Sequence, residues 1–201
     1  MAKSGKNVPY FTGVERVFEL ALCLDPGPED TGVILLDRHW GIHFSGKMDN
    51  GSLLHMIIHK TFQTECLVQE MLIPFPGAGK SLSDTLVWLG RFEQAFRMSY
   101  KDSFSIPVET FKILRTTVRS FFVPKKKENR TDLPKTKDAI VRKILIERYM
   151  EKRGIDVTET DNLTRDAWQA LALGIYFMHH VDEFRRTTLA YVFAEEEKRK
   201  S

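Results

Sequence analysis

Cysteine is scarce in this sequence, and long apolar runs and a strong excess of charge of either sign are missing from it. Two cysteines occur in 201 residues, Cys23 and Cys66, each inside an apolar, strand-like run. Without histidines at ligand spacing they make no zinc site, and in a reducing compartment they do not pair. They read as buried free thiols. No apolar run approaches the ~20 residues a membrane-spanning helix needs. The basic start, Met1-Ala-Lys-Ser-Gly-Lys6, leads into no hydrophobic segment of signal-peptide type. The expectation is a cytoplasmic protein, nucleoid-associated or in the cytoplasm of an infected cell, with no membrane partner.

What is present suits one folded domain: 42% hydrophobic residues and 28% charged ones. The net charge of +3 is mild but unevenly spread. From Lys112 to Lys143 eleven basic residues face three acidic ones, a local +8 that leaves −5 for everything else. A basic block beside an acidic remainder points to a polyanionic partner, with carboxylates kept elsewhere for another purpose. Taken alone, such a block is also what a solvated surface looks like.

Along the chain, residues 1–15 read as a flexible basic arm, 16–182 as the folded domain and 183–201 as an extension with a charged tail. Phe18–Asp25 is a predicted buried strand ending in the turn signal Asp25-Pro26-Gly27. Thr31–Asp37 and His39–Ser45 continue it as an antiparallel meander. Apolar residues at Leu53, Leu54, Ile57, Ile58 and Phe62 have a helical period over 51–62. Glu65–Ile73 is a fourth strand, Ser81–Tyr100 an amphipathic helix with Ser81 or Ser83 as its cap, and Phe104–Thr110 a fifth strand. A short helix over Thr116–Phe122 precedes a charged loop, 123–135, which is too polar to pack. Helices over Lys137–Arg153 and Thr164–His180 close the domain. A meander joined to further strands through crossover helices gives an α/β fold with a mixed five-stranded sheet flanked by helices.

Three carboxylates stand out by where they fall. Asp25 ends the first strand, Glu70 lies within the fourth, and Asp166 opens the last helix. Each has a plain structural explanation: a strand-ending turn, a solvent-facing position, and a helix N-terminus that favours acids. Together, and in that order, they point elsewhere. Acids brought side by side repel one another unless a cation neutralises them. Oxygen-only ligation suits Mg²⁺ or Mn²⁺ rather than zinc, and two such ions about 4 Å apart can drive phosphodiester hydrolysis.

Leu24-Asp25-Pro26-Gly27, followed by Thr31-Gly32, resembles the opening strand and turn of RuvC-type Holliday junction resolvases, members of the RNase H-like nuclease superfamily. Val68-Gln69-Glu70, a loop, and Ser81-Leu82 through Leu89-Gly90-Arg91 are similar to that family's second acid and following helix. Arg115-Thr-Thr-Val-Arg119, with Lys137-Asp-Ala-Ile-Val141, resembles its DNA-contacting segment. Arg165-Asp166-Ala167 with Ala170-Leu-Ala-Leu173 resembles its closing helix. The likeness spans residues 18–180. It implies an RNase H-like fold and a homodimer whose two-fold axis matches that of a four-way DNA junction. It also implies paired symmetric nicks leaving 5′-phosphate and 3′-hydroxyl ends, and two Mg²⁺ ions per site, with Mn²⁺ as a substitute. Asp25, Glu70, Asp166 and Asp161 become catalytic metal ligands. The DNA contacts become Phe75, Lys80, Arg115, Arg119, Lys125, Lys126, Lys127, Lys135 and Lys137.

One position departs from the family pattern. A further acid or histidine belongs one helical turn before the closing Asp, where this chain has Leu163. Asp161 is the preferred replacement, with Asn162 and the more distant Glu159 as alternatives; helix capping accounts for Asp161 and Asn162 equally well.

Other signals resolve more simply. Gly77-Ala-Gly-Lys-Ser81 invites a P-loop reading, but Pro74 stands where that motif needs glycine and no matching acidic strand follows. The segment reads instead as a loop beside Glu70, with Lys80 near phosphates and Phe75 either wedging into a branch point or anchoring the loop. His55 and His59 have metal-like spacing without a third ligand, and His179 and His180 suit a helix end. Three other functions compete: an RNase H-like nuclease acting on flaps, RNA–DNA hybrids or packaged DNA; a catalytically silent DNA-binding module of the same fold; and an actin-like ATPase or sugar-kinase fold. The last needs two such domains and a second Asp–Gly loop, which this chain lacks.

Overall fold

A computed structural model describes residues 18–74, 76–77, 79–101, 103, 108–123, 134, 136–151 and 163–181. The expected arm 1–15, the extension 183–201 and the basic loop, apart from Val123 and Pro134, lie outside the described residues. Five strands form one sheet: β1 (Leu20–Pro26), β2 (Asp30–Asp37), β3 (Ile42–Asp49), β4 (Cys66–Met71) and β5 (Glu109–Leu114). The helices are α1 (Asn50–Ile58), α2 (Lys80–Tyr100), α3 (Arg115–Phe122), α4 (Lys137–Ile144), which runs on through a π-helical turn (Leu145–Met150), and α5 over 165–181.

The sheet order is β3-β2-β1-β4-β5, antiparallel within the meander and parallel from β1 to β4 and from β4 to β5. The mixed five-stranded α/β sheet expected from the sequence is therefore the one that forms. Strand alternation splits its residues between two cores. Leu22, Leu24, Val33, Leu35 and Leu67 pack with Leu53 and Ile57 of α1 and Phe92, Phe96 and Tyr100 of α2. Ala21, Cys23, Ile34, Leu36, Cys66, Val68, Phe111 and Ile113 face α3, α4 and α5. With successive side chains on opposite faces, Asp25 and Glu70 fall on the α5 side.

α5 lies in close contact with the sheet because two glycines leave room for it. A Cβ on Gly32 would sit 2.2 Å from the carbonyl oxygen of Asp166, and one on Gly174 would sit 2.9 Å from Cys23 Sγ. Cys23 and Cys66 are both buried thiols outside any disulfide, as expected, and burial pushes the Cys23 thiol well above its ordinary value, which leaves it unreactive. No helix among the described residues is long and apolar enough to cross a membrane.

Three local expectations shift. The third strand starts at Ile42 rather than His39, because Asp37 Oδ1 accepts hydrogen bonds from the backbone N–H of His39 (2.7 Å) and Gly41 (2.9 Å). This turn holds Trp40 at φ 74° with its ring buried, so an apparent strand alternation is really a turn that anchors the core. The fifth strand covers Glu109–Leu114 instead of Phe104–Thr110, since Phe111 and Ile113 supply the buried positions that pair in parallel with Val68 and Glu70. Lys112 hid that alternation by reading as part of a basic block. α2 is capped by Gly79 with no side-chain bond, not by Ser81 or Ser83.

Candidate active site

Strand register assembles the site from residues far apart in sequence. Leu24 pairs with Gln69, so one step further along the parallel strands Asp25 and Glu70 stand side by side. Asp25 is also the register partner of Gly32, and Gly32 of Lys47. Gly32, having no side chain, admits the first turn of α5 and with it Asp166. The three acids named from the sequence thus meet one region at the end of the sheet. Asp25 and Asp166 border a cleft of about 480 Å³, together with Lys47, Arg115 and, from the start of α2, Ser81 and Thr85, while Glu70 lies buried beside Asp25.

The acids are not equivalent there. Asp25 is 6% exposed and Glu70 2%, a severe environment for two carboxylates. Between them lies the Arg115 guanidinium. Its Nη2 donates to Asp25 Oδ1 at 2.6 Å and its Nε to Glu70 Oε2 at 2.5 Å, with a further Nη2 contact to Glu70. Arg115 gets there by the same alternation: it follows Phe111 and Ile113 on the α5 face, one residue past the end of β5. Burial holds the Asp25 carboxyl well above its ordinary value, with Glu70 adding to the effect and Arg115 only partly opposing it. The Arg115 guanidinium is held in its charged form by the two acids.

Asp166 stands apart from this pair, on a half-exposed wall of the cleft. Lys47 Nζ binds its Oδ2 at 3.2 Å and also reaches Asp30 Oδ2 at 3.3 Å. Every acid of the cleft that the sequence singled out therefore has a cationic partner. Among the described residues, no three acidic, histidine or cysteine side chains converge closely enough to hold one metal ion. The donor chemistry itself suits a hard divalent cation, since the cleft offers carboxylate oxygens and neither thiolate nor imidazole.

The β1–β2 turn that presents Asp25 is fixed from beneath. Asn50, only 1% exposed, accepts from Thr31 Oγ1 at 2.6 Å and donates to the Gly27 carbonyl at 3.1 Å, while its backbone N–H binds the Glu29 carbonyl. Asn50→Ala leaves the Thr31 hydroxyl and the Gly27 carbonyl without these bonds and should cost about 1–3 kcal/mol. Urea unfolding measures the loss; a midpoint unchanged from that of the unaltered chain would mean that Asn50 does not hold the turn.

The basic residues proposed to meet DNA do not form one free surface. Arg115 is committed to the acids. Arg119 Nη2 binds Asp138 Oδ1 at 2.6 Å, and Arg165 shares the same carboxylate through Oδ2. Lys112 pairs with Glu93 of α2. Lys80 is exposed at the first position of α2. The backbone of Lys137 opens α4, but its side chain lies outside the described residues, as do Phe75, Lys125, Lys126, Lys127 and Lys135. Asp161, Asn162 and Glu159 lie outside them too. Thr164 Oγ1, however, accepts from the backbone N–H of Ala167, so the capping that Asp161 or Asn162 could have served is already supplied.

Sequence reasoning missed Lys47, Asp30 and Asn50. Lys47 sits in a polar alternation on an edge strand, and Asn50 follows Asp49, which caps α1. Neither carries a motif, and only the register Gly32–Lys47 would have drawn attention to the first.

No protein-family model matches the sequence, and no curated protein matches it. Solved structures do. RuvC of Thermus thermophilus has a TM-score of 0.53 at 13% identity, covering 82% of this chain and 96% of that one. RuvC of T. thermophilus in complex with Holliday junction substrate also has a TM-score of 0.53, at 11% identity, covering 82% of this chain and 95% of that one. The yeast mitochondrial Holliday junction resolvase Ydc2 follows at a TM-score of 0.49 and 10% identity, covering 88% of this chain and 87% of that one. The mixed sheet and its flanking helices have the RuvC-type, RNase H-like fold.

Proposed function

We propose that this protein is a metal-dependent endonuclease that cuts branched DNA, four-way junctions above all. The observation that carries the reading is the pairing of two buried carboxylates, Asp25 and Glu70, beneath an open cleft that Asp166 also borders. Keeping two carboxylates out of water is costly, and a catalytic role is the most direct reason to retain them. A protein of this fold, RuvC, is known bound to Holliday junction substrate, which supports the choice of DNA.

Asp25, Glu70 and Asp166 would hold Mg²⁺ or Mn²⁺, with Asp161 as the proposed fourth ligand. Two such ions supply a nucleophilic water at neutral pH and charge to stabilise the leaving oxygen. The chain's own residues set the frame: Asn50 fixes the turn that carries Asp25, Gly32 lets Asp166 approach, and the helix dipole of α5 favours an acid at its first turn. Lys80 and the other proposed basic contacts, Arg119, Lys125, Lys126, Lys127, Lys135 and Lys137, would hold the arms through phosphates, which makes binding steeply salt-dependent, and Phe75 would wedge into the branch point. A homodimer would present two such clefts to the two-fold axis of a junction.

A labelled four-way junction incubated with the protein and Mg²⁺ tests this. Symmetrically placed nicks support reaction, substrate and dimer together. Equal cutting of linear duplex removes junction preference and leaves a nuclease of the same fold. The guanidinium seated between Asp25 and Glu70 favours one other reading, a silent DNA-binding module whose site is closed by a salt bridge. Junction binding with no metal-dependent nicking would establish that alternative.

A further inference from the structure

The position that a cation shared by Asp25 and Glu70 would take is held by a side chain of the protein itself. We infer that Arg115 is a built-in competitor for that position: its guanidinium and a divalent cation occupy the Asp25–Glu70 pair in turn, so that loading the site means displacing Arg115. The inference rests on the metal-dependent reading above and concerns how that site is regulated.

Three observations support it. Arg115 binds both acids at once, Nη2 to Asp25 Oδ1 and Nε to Glu70 Oε2, so one oxygen of each is already taken by the guanidinium. The acids are almost wholly buried, whereas a third of the Arg115 side chain, 31%, is exposed to the cleft. The guanidinium thus has an exit that the carboxylates lack. Finally, Arg115 sits at the first position of α3 and lines the cleft that Asp25 and Asp166 border, so a displaced guanidinium stays within it. Asp25 Oδ1 and Glu70 Oε2 already accept from the guanidinium at hydrogen-bond distance, so a cation that takes those same oxygens must break the Arg115 bonds. Displacement returns the guanidinium to the cleft mouth, where it faces an incoming polyanion. A single residue would then offset part of the acids' charge before metal binds and favour cleavage only once metal is bound.

The test measures Mn²⁺ binding directly, by calorimetry at pH 7 on the full chain, for the unaltered protein, Arg115→Gln and Arg115→Lys. Removing the competitor's charge should tighten Mn²⁺ binding at least about tenfold in Arg115→Gln. Lysine keeps the charge but cannot fork to two carboxylates, so Arg115→Lys should fall between the two. Melting in EDTA gives a second readout: Arg115→Gln should melt below the unaltered chain and gain more from Mn²⁺. Equal or weaker Mn²⁺ binding by Arg115→Gln overturns the inference while leaving the metal site intact. If that variant does not fold, Arg115→Lys decides, and affinity equal to the unaltered chain overturns it. If none of the three chains binds Mn²⁺, the metal-dependent reading itself fails.

Discussion

Asp25→Asn should abolish junction cleavage while making the metal-free protein more stable at neutral pH. The two effects have one origin. Asp25 is buried beside Glu70, and burial followed by the neighbouring acid raises its pKa well above the ordinary value, despite Arg115. A carboxyl whose pKa is higher folded than unfolded binds more protons in the folded state. Its contribution to stability is therefore present below the unfolded value of ~3.9 and is lost as pH rises through the folded value. Asparagine keeps the shape, removes the repulsion and leaves Arg115 to Glu70 alone. In EDTA, denaturant unfolding between pH 4 and 8 should show the variant above the unaltered chain at pH 7, with a flatter profile. A variant less stable at pH 7 would mean that the Arg115 bond, not burial and Glu70, dominates. Cleavage should move the other way. On the proposed metal-dependent reading, loss of Asp25 removes several kcal/mol of transition-state stabilisation, roughly a thousandfold in rate per ~4 kcal/mol. Nicking by Asp25→Asn at the unaltered rate would remove Asp25 from the site.

Gly32→Ala is expected to damage both the fold and the site. An added Cβ would stand 2.2 Å from the Asp166 carbonyl oxygen, 2.3 Å from its carbon and 2.9 Å from the Ala167 nitrogen. All three are backbone atoms, so no side-chain rotation relieves the clash and the start of α5 must move off the sheet. Overpacking in a close-packed core costs about 1–3 kcal/mol, and a backbone clash belongs at or beyond the upper end. For a chain of this size that corresponds to roughly 6–12 °C in Tm. Asp166 is carried on the displaced turn, so cleavage should fall as well. Gly174→Ala is the comparison, because its Cβ would meet Cys23 Sγ at 2.9 Å and Leu36 Cδ2 at 3.0 Å. Those are side-chain atoms that can shift, and the loss should be smaller. Equal melting of Gly32→Ala and the unaltered chain would show that α5 is not held against β2 in solution.

Both variants depend on features of unequal visibility. The run Leu20–Asp25 announces a buried strand through its apolar continuity, and Asp-Pro-Gly announces its end. The helical period from Leu82 to Tyr100 is equally plain. Local chemistry produces these signals, and they need no knowledge of neighbours. The third and fifth strands fall elsewhere than the sequence alone suggests, because Trp40 and Lys112 are read correctly only once their partners are known. Trp40 turns inward on a loop that Asp37 closes, and Lys112 projects from a strand to meet Glu93.

The same division runs through the site. Asp25, Glu70 and Asp166 were legible from sequence because each occupies a distinctive place on its own element, and the order of those elements dictated an α/β sheet. Tertiary structure alone decided what surrounds them. Arg115, read as a DNA contact in a basic stretch, is the cation between two buried acids; Lys47, which carries no motif, holds the third. A residue's type and spacing determine which element it joins. Its charge partner is determined by register between strands that meet only in the folded chain.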